Sequence, residues 1–530
     1  MTTTADFVRQ WATERPDHVA LRWGDRQMTY AELDQRSSRV AQALRASGVG
    51  AGERVAYLDK NSPEQIELFF GAAKLNAVPT PVNFRLAPPE VAGIVADSEA
   101  KVFAVGAEFE PLLDKIAGDL PDVQFVIIGG EEAADGAQAP SPQPFAVQPF
   151  DVWRDSQPAE DPKEAQGPDD VAYQLYSSGT TGRPKGVQLT NSNFSAGLAL
   201  YPELLEFGPE SVSMVAMPLF HIGGGGWALA GLAVGVTNVL VRDIDPTELV
   251  GLIEREKITH AFLVPAVLQF MLAVPGVRER DFTNLKCFLY GASPISEQVL
   301  AESIRTFRCK FLQAYGLTET TGTVVLLGAQ DHDPDGPNRH RLRAAGQPVP
   351  GTEVRIVDAS TGDDATQGEV GEIWIRSPMV MKGYWHMDDA TKEAIAPGGW
   401  FRSGDIGFLD EDGYLYLYDR MKDMIFSGGE NVYPAEVENV LMSHPAVADV
   451  AVIGVHNERW GETPKEVVVR APGADASEED LIGFCRERLA RFKCPTSVEW
   501  ADQLPRNPSG KVLKKDLRAK YWEGKKRLVG

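Results

Sequence analysis

Apolar residues along the chain fall into two alternating textures. Short β-branched and aromatic runs bounded by Gly, Pro or charged positions read as buried strands: RVAYL (54–58), KVFAV (101–105), QFVIIG (124–129), THAFLV (259–264) and KCFLYG (286–291). Between them lie stretches with helical spacing, such as PEQIELFFGAAKL (63–75). This alternation through the first 330 or so residues predicts parallel sheets covered by helices. After Gly346 the pattern becomes strand–turn–strand in TEVRIVD, GEVGEIWIR and GYLYLYD, which predicts an antiparallel sheet or small barrel. From about Met421 a tail carries helix PAEVENVLMSH, strand VADVAVIGV and helix EEDLIGFCRERLARF. It reads as a separate α/β domain with its own core.

Two segments break the pattern. Glu131 to Asp170 has seven prolines in 40 residues and few large apolar side chains, so it reads as an extended surface connection. Ser211 to Val241 has no formal charge but six glycines, and includes Pro218, His221 and Asn238. It reads as strand, Gly-rich turn, helix and strand, not as a membrane span.

Length and charge narrow the function classes. At 530 residues the chain holds three or four modules of ordinary size. A hydrophobic share of 43% and a charged share of 24% exclude a disordered chain, a collagen and a small disulfide scaffold. The formal charge, 52 − 75 = −23, argues against wholesale binding to nucleic acid, which needs a basic surface. Only Lys511 to Gly530 is basic, with eight Lys/Arg against Asp516 and Glu523. That run reads first as a solvated helix face; a peripheral contact with a polyanion or an acidic membrane surface is the alternative. The four cysteines form no CxxC pair and no metal spacing with the histidines, which fits a reducing compartment. The N-terminus lacks an apolar h-region, so a cytoplasmic location is expected. DHDPDG (331–336) resembles half of an EF-hand loop, but Leu342 stands where the bidentate Glu belongs, and the segment reads as an acidic surface loop.

The strongest chemical signal is Tyr176-Ser-Ser-Gly-Thr-Thr-Gly-Arg-Pro-Lys185-Gly186. Strand VAYQLY feeds a loop in which glycines allow close backbone approach to a phosphate. Hydroxyls and N–H groups can donate to its oxygens, and Lys185 adds charge. It is not a Walker A loop, because G-x-x-x-x-G-K-[ST] fails here.

SSGTTGRPKG resembles the signature loop of the adenylate-forming superfamily, which includes acyl-CoA synthetases, aryl-CoA ligases, luciferases and peptide-synthetase adenylation domains. Five further motifs stand in the family's order: Tyr290-Gly-Ala-Ser-Pro294, Gln313-Ala-Tyr-Gly-Leu-Thr-Glu319, Trp400-Phe-Arg-Ser-Gly-Asp405, Asp419-Arg-Met-Lys422 with Ser427-Gly-Gly-Glu-Asn431, and Pro505-Arg-Asn-Pro-Ser-Gly-Lys511. The resemblance implies an α/β fold: a large N-terminal domain of two doubly wound α/β subdomains plus a small β-rich subdomain, then a small mobile α/β C-terminal domain. The boundary is expected between residues 421 and 422, giving an adenylation domain (1–421) and a lid domain (422–530).

It also implies ATP, Mg²⁺ and coenzyme A acting on a small carboxylic acid in a monomeric or homodimeric enzyme. Ser177, Ser178, Gly179, Thr180, Thr181, Gly182 and Lys185 would hold the β- and γ-phosphates. Gly291, Ala292 and Ser293 would border adenine, with Gln313, Ala314 and Gly316 nearby and Tyr315 stacking on the base. Asp405 would accept from the ribose hydroxyls and Arg420 would reach the ribose. Thr318 would donate to the α-phosphate, Glu319 would hold Mg²⁺, and Lys511 would bridge the carboxylate and α-phosphate. Lys422 would be the pivot that exchanges Lys511 for the Gly428-Gly429 loop. His221, Gly225, Val264, Gly291 and Thr320 would line the acid pocket. Gly223–Gly226 would give it a roomy entrance in place of an aromatic gate, and no basic residue is expected there. Phe426 stands where several relatives carry a lysine used in thioester formation. The expected activity is acyl-CoA synthesis from an apolar acid, most simply a medium- or long-chain fatty acid. An aryl or alicyclic acid, and a stand-alone enzyme that loads a carrier protein, are the alternatives.

Overall fold

The computed structural model describes residues 2–130, 145–177, 184–293, 295–358, 361–420, 423–427, 430–457, 460–506 and 512–523. Its strands form five sheets. The first is parallel throughout, ordered Val78–Pro81, Arg54–Leu58, Val102–Gly106, Phe125–Gly129 and Ala146–Pro149. Its apolar strands are covered by helices that start at conventional caps. Ser62 Oγ accepts from Gln65 N at the head of Pro63–Lys74, and Thr29 and Glu32 make a capping box at the head of Tyr30–Ala46.

The second sheet has nine strands. Lys310–Leu317, Cys287–Gly291, His260–Leu263, Val212–Val215 and Thr237–Leu240 lie side by side and parallel at its centre. The chain leaves Val212–Val215 toward one edge and His260–Leu263 toward the other, so the gap between these neighbours is a topological switch point, where open α/β sheets form crevices. A hairpin of Val171–Ser177 and Lys185–Thr190 pairs with Gly383–Tyr384. An antiparallel sheet built around Gly371–Arg376 and Trp400–Leu409 is the β-rich unit expected after Gly346. The tail has its own sheet, centred on Val447–Asn457 and Gly461–Arg470, over a core that includes Val437, Leu441, Leu481 and Cys485.

Three expectations are corrected. The segment after residue 130 is not all a surface connection: among its described residues Ala146–Pro149 joins the parallel sheet, Phe150 and Trp153 are buried, and Arg154 pairs with buried Glu67 at 2.9 Å. The supposed acidic surface loop begins inside the protein, because Asp331 accepts from Tyr414 Oη and pairs with Arg341, while His332 is bonded to Tyr290.

The third correction is the tetraglycine run, which is the first turn of helix Ile222–Ala233 and not a turn before it. Its glycines permit tight packing and leave no roomy gap. A Cβ on Gly224 would lie 2.1 Å from Pro218 O, and one on Gly225 2.7 Å from Leu219 O and 3.0 Å from Tyr173 Oη. Among the described residues no helix is long and apolar enough to cross a membrane.

Candidate active site

The C-terminal ends of the central parallel strands open into one cleft of about 2540 Å³, bordered by the β-rich unit and by the tail. Its size exceeds the roughly 300–1,000 Å³ of a pocket for one small ligand, so it has room for more than one.

One wall follows from strands Cys287–Gly291 and Lys310–Leu317, paired in register with Gly291 opposite Ala314. Gly291, Ala292, Ser293, Gln313, Ala314, Tyr315, Gly316, Thr318 and Glu319 all line the cleft. A Cβ at Gly291 would lie 2.2 Å from Ala314 O, so only glycine lets the two strand ends approach this closely. Ala292 follows with φ +65°, a left-handed conformation that costs a non-glycine residue energy and tends to occur at functional sites. Asp405 reaches this wall from strand Trp400–Leu409. Its Oδ2 accepts from Tyr315 Oη at 2.8 Å, and both residues are nine-tenths buried. Ser403 holds the backbone by accepting from Asp405 N at 3.0 Å. Arg420 is the register partner of Asp405.

The opposite corner is built at the hairpin. Ser177 and Lys185 are cross-strand partners at the two ends of the signature loop. Glu319 Oε1 accepts from Ser177 Oγ and from Tyr384 Oη, each at 3.1 Å. Lys185 Nζ sits 4.7 Å from the Tyr384 ring centre. Burial, and then the Glu319 carboxylate, hold the Tyr384 phenol well above its usual pKa, so it stays a donor. Among the described residues no group of three or more His, Cys, Asp or Glu could hold a metal alone. Glu319 and Ser177 instead offer a carboxylate and a hydroxyl to a hard cation that takes its other oxygens from a phosphate, as Mg²⁺ commonly does.

At the switch point the cleft is lined by Phe220, His221, Ile222, Pro265, Ala266 and Gln269. His221 caps helix Ile222–Ala233, with Nδ1 accepting from Gly223 N at 3.1 Å. Gly291 lines the cleft at the wall described above, and the other three pocket candidates lie elsewhere. Val264 is buried behind Pro265, Gly225 is packed on Leu219 and Tyr173, and the Thr320 hydroxyl bonds the backbone of Leu317 and Gly322 inside its own turn. Arg85 also lines the cleft.

Ser178, Gly179, Thr180, Thr181, Gly182, Lys422, Gly428, Gly429 and Lys511 lie outside the described residues, as does the side chain of Arg420. The sequence reading missed Tyr384 and Arg85. Tyr384 stands 199 residues from Lys185 in chain order, and its only local signal is an aromatic after Gly383.

A model of the AMP-binding enzyme family matches residues 8–385, and one of the AMP-binding enzyme C-terminal domain matches residues 436–511. Among curated relatives, a fatty acid–[acyl-carrier-protein] ligase, ScoC, of Streptomyces coeruleorubidus is 40% identical over 527 residues, covering 98% of this chain and 96% of the relative. A long-chain-fatty-acid–CoA ligase, FadD13, of Mycobacterium tuberculosis is 38% identical, covering 94% of each chain. A feruloyl-CoA synthase of an Amycolatopsis species is 39% identical, covering 96% of each. Among solved structures, the anthranilate CoA ligase AuaEII with anthranoyl-AMP superposes with TM-score 0.88 at 27% identity, covering 98% of this chain and 97% of that one. A Mycobacterium tuberculosis fatty acyl CoA synthetase gives 0.75 at 35%, covering 99% of both.

Proposed function

The chain belongs to the AMP-binding enzyme family and is an acid–thiol ligase, and from that premise we propose that it is an acyl-CoA synthetase for an apolar monocarboxylic acid, a medium- or long-chain fatty acid first. The observation that carries the reading is the single cleft joining three chemically distinct corners: the Tyr315–Asp405 wall, the Ser177–Lys185–Glu319–Tyr384 corner, and the apolar end at Phe220, Ile222, Pro265 and Ala266. These corners suit a nucleoside, a polyphosphate and an acyl chain, in that order.

In the first step a carboxylate oxygen attacks the α-phosphorus of ATP and pyrophosphate leaves. Asp405 accepts from the ribose hydroxyls and Arg420 approaches the ribose beside it. Gly291, Ala292, Ser293, Gln313 and Ala314 border adenine against the Tyr315 ring, with Gly316 behind. Lys185 and Ser177 to Gly182 hold the terminal phosphates, and Thr318 donates to the α-phosphate. Glu319 would hold Mg²⁺, which supplies charge neutralisation on the phosphate oxygens. Lys511 donates to the oxygens on which charge builds. In the second step the thiol of coenzyme A attacks the acyl carbon and AMP leaves, with the tail (residues 422–530) turned about Lys422 so that Gly428 and Gly429 face the site. The acyl chain runs past His221.

Two second readings have specific support. The carrier-protein ligase at 40% identity favours a carrier thiol as acceptor, and the feruloyl-CoA synthase at 39% favours an aryl acid. AMP release measured over a panel of fatty and aryl acids, with coenzyme A and separately with a phosphopantetheinylated carrier protein, tests all three. AMP release driven by coenzyme A and greatest with a fatty acid is expected. Turnover with the carrier alone overturns the acceptor, and a preference for aryl acids overturns the substrate class.

A further inference from the structure

Tyr384 stands between two opposite charges in one corner of the cleft. Its Oη donates to Glu319 Oε1 at 3.1 Å, and Lys185 Nζ lies over its ring, 4.7 Å from the centre. Among the described residues no ion pair joins Lys185 to Glu319 directly. Opposite charges that touch one side chain attract strongly in a partly buried cleft. A phenol can hold both and keep them apart, because its hydroxyl proton faces the anion while its electron-rich ring face receives the cation. Phenylalanine offers only the second contact, and an aliphatic side chain offers neither.

The phenol is fixed from behind. Tyr384 is the register partner of Val187 in the signature hairpin, and its N–H donates to Thr391 Oγ1 at 2.9 Å. Trp385, the next residue, faces the other side of the strand. Its N–H donates to Gly186 O at 2.7 Å and its Nε1 to Asp97 O at 2.9 Å, while the Arg54 guanidinium covers its ring at 3.4 Å. Ser177 Oγ also donates to Glu319 Oε1, so both hydroxyls engage one oxygen, and Oε2 has no hydrogen bond among the described residues. Ser177, Lys185, Glu319 and Tyr384 all line the cleft.

We propose that Tyr384 is a positioning residue that keeps Lys185 and Glu319 from neutralising each other, so that the ammonium stays available to a polyphosphate. This rests on the reading above, which puts the β- and γ-phosphates at this corner. Without the phenol the two charges collapse into an ion pair that ATP must break before it binds. Tyr384 acts only through its two neighbours.

The test is calorimetric binding of ATP in EDTA, where no metal screens the phosphates and Lys185 reports directly, with AMP as the comparison. Tyr384→Leu removes ring and hydroxyl and should weaken metal-free ATP about tenfold, the scale of a lost cation–π contact joined to a competing ion pair. Tyr384→Met also lacks both groups and should do the same, which keeps the test open if leucine prevents folding. Tyr384→Phe keeps the ring face and should stay within about threefold of wild type. AMP has no β- or γ-phosphate, so its affinity should be alike in every Tyr384 variant. Glu319→Gln removes the competitor, and its gain in metal-free ATP affinity should be several-fold larger beside Tyr384→Leu than alone. Equal gains in the two backgrounds overturn the proposal, as does wild-type affinity in Tyr384→Leu and Tyr384→Met, or an equal loss of ATP and AMP. Wild type that binds neither nucleotide would overturn the functional reading itself, and the proposal with it.

Discussion

Tyr315 Oη donates to Asp405 Oδ2 at 2.8 Å, joining two sheets across the cleft wall and occupying one oxygen of the carboxylate proposed to meet the ribose. The phenol is therefore both a ring for the base and a clamp that orients the acceptor. The two roles separate by substitution. Tyr315→Phe keeps the ring and the carboxylate and loses only the bond that orients it, so it should weaken ATP binding by no more than about tenfold. Asp405→Ala removes a charged acceptor and should weaken ATP binding by on the order of 10²-fold. Calorimetric dissociation constants decide it, and equal losses in the two variants would contradict the assignment.

Gly225 is expected to matter for stability and not for acid choice. Its position admits no Cβ without pushing on Leu219 O and on the Tyr173 hydroxyl that bonds it. Overpacking of this kind costs about 1–3 kcal/mol, partly offset by the better helix propensity of alanine. Gly225→Ala should therefore melt at a lower temperature while keeping the wild-type profile across acids of different length. A variant of unchanged stability with an altered profile would return Gly225 to the pocket.

The contrast between Gly225 and Gly291 marks what the sequence can convey. Runs such as RVAYL announce their strand because burial on both faces imposes β-branched and aromatic residues locally, and Arg54–Leu58 is the strand that forms. Motif glycines announce the cleft wall for a similarly local reason: Gly291 stands where two strand ends nearly touch. The tetraglycine run carries no such local meaning. Whether a glycine makes space or removes it depends on what packs against it, here the backbone of residues 217–219. Asp331 and His332 look like a surface loop because their partners Tyr414 and Tyr290 are 83 and 42 residues away. Tyr384 reaches Glu319 only through the pairing of Gly383–Tyr384 with the signature hairpin.

Glu466 should make the tail domain lose stability as pH rises between about 4.5 and 8. It is fully buried in strand Gly461–Arg470, neither carboxyl oxygen has a hydrogen bond among the described residues, and burial, with Glu478 adding to it, pushes its pKa up to about 8. The folded chain thus keeps a proton that the unfolded chain releases above its ordinary value of 4.5. Stability from this group is complete below pH 4.5 and is lost as pH rises toward about 8, at a limit of ~1.4 kcal/mol per pH unit. Glu466→Leu should remove that slope and raise the melting temperature at about pH 8. Parallel melting curves for wild type and variant from pH 5 to 9 would contradict it.

The two half-reactions should respond to different residues of the tail. Lys511→Ala should slow acyl-adenylate formation by on the order of 10²–10³, while a supplied acyl-adenylate still reacts with coenzyme A, because the bond Lys511 helps to form is already present. Lys422→Pro fixes φ near −65° at the proposed pivot. It should leave adenylation within about tenfold and depress thioester formation far more. Equal loss of both steps in either variant would remove that residue from its role.

The central claim is that this cleft joins a carboxylic acid to AMP before any thiol takes part. Exchange of labelled pyrophosphate into ATP, measured without coenzyme A, isolates that step. Exchange that depends on a medium- or long-chain fatty acid and falls on the order of 10²-fold in Lys511→Ala is the expected result. No acid-dependent exchange in the absence of coenzyme A, from a preparation that still forms thioester when it is added, would contradict the account.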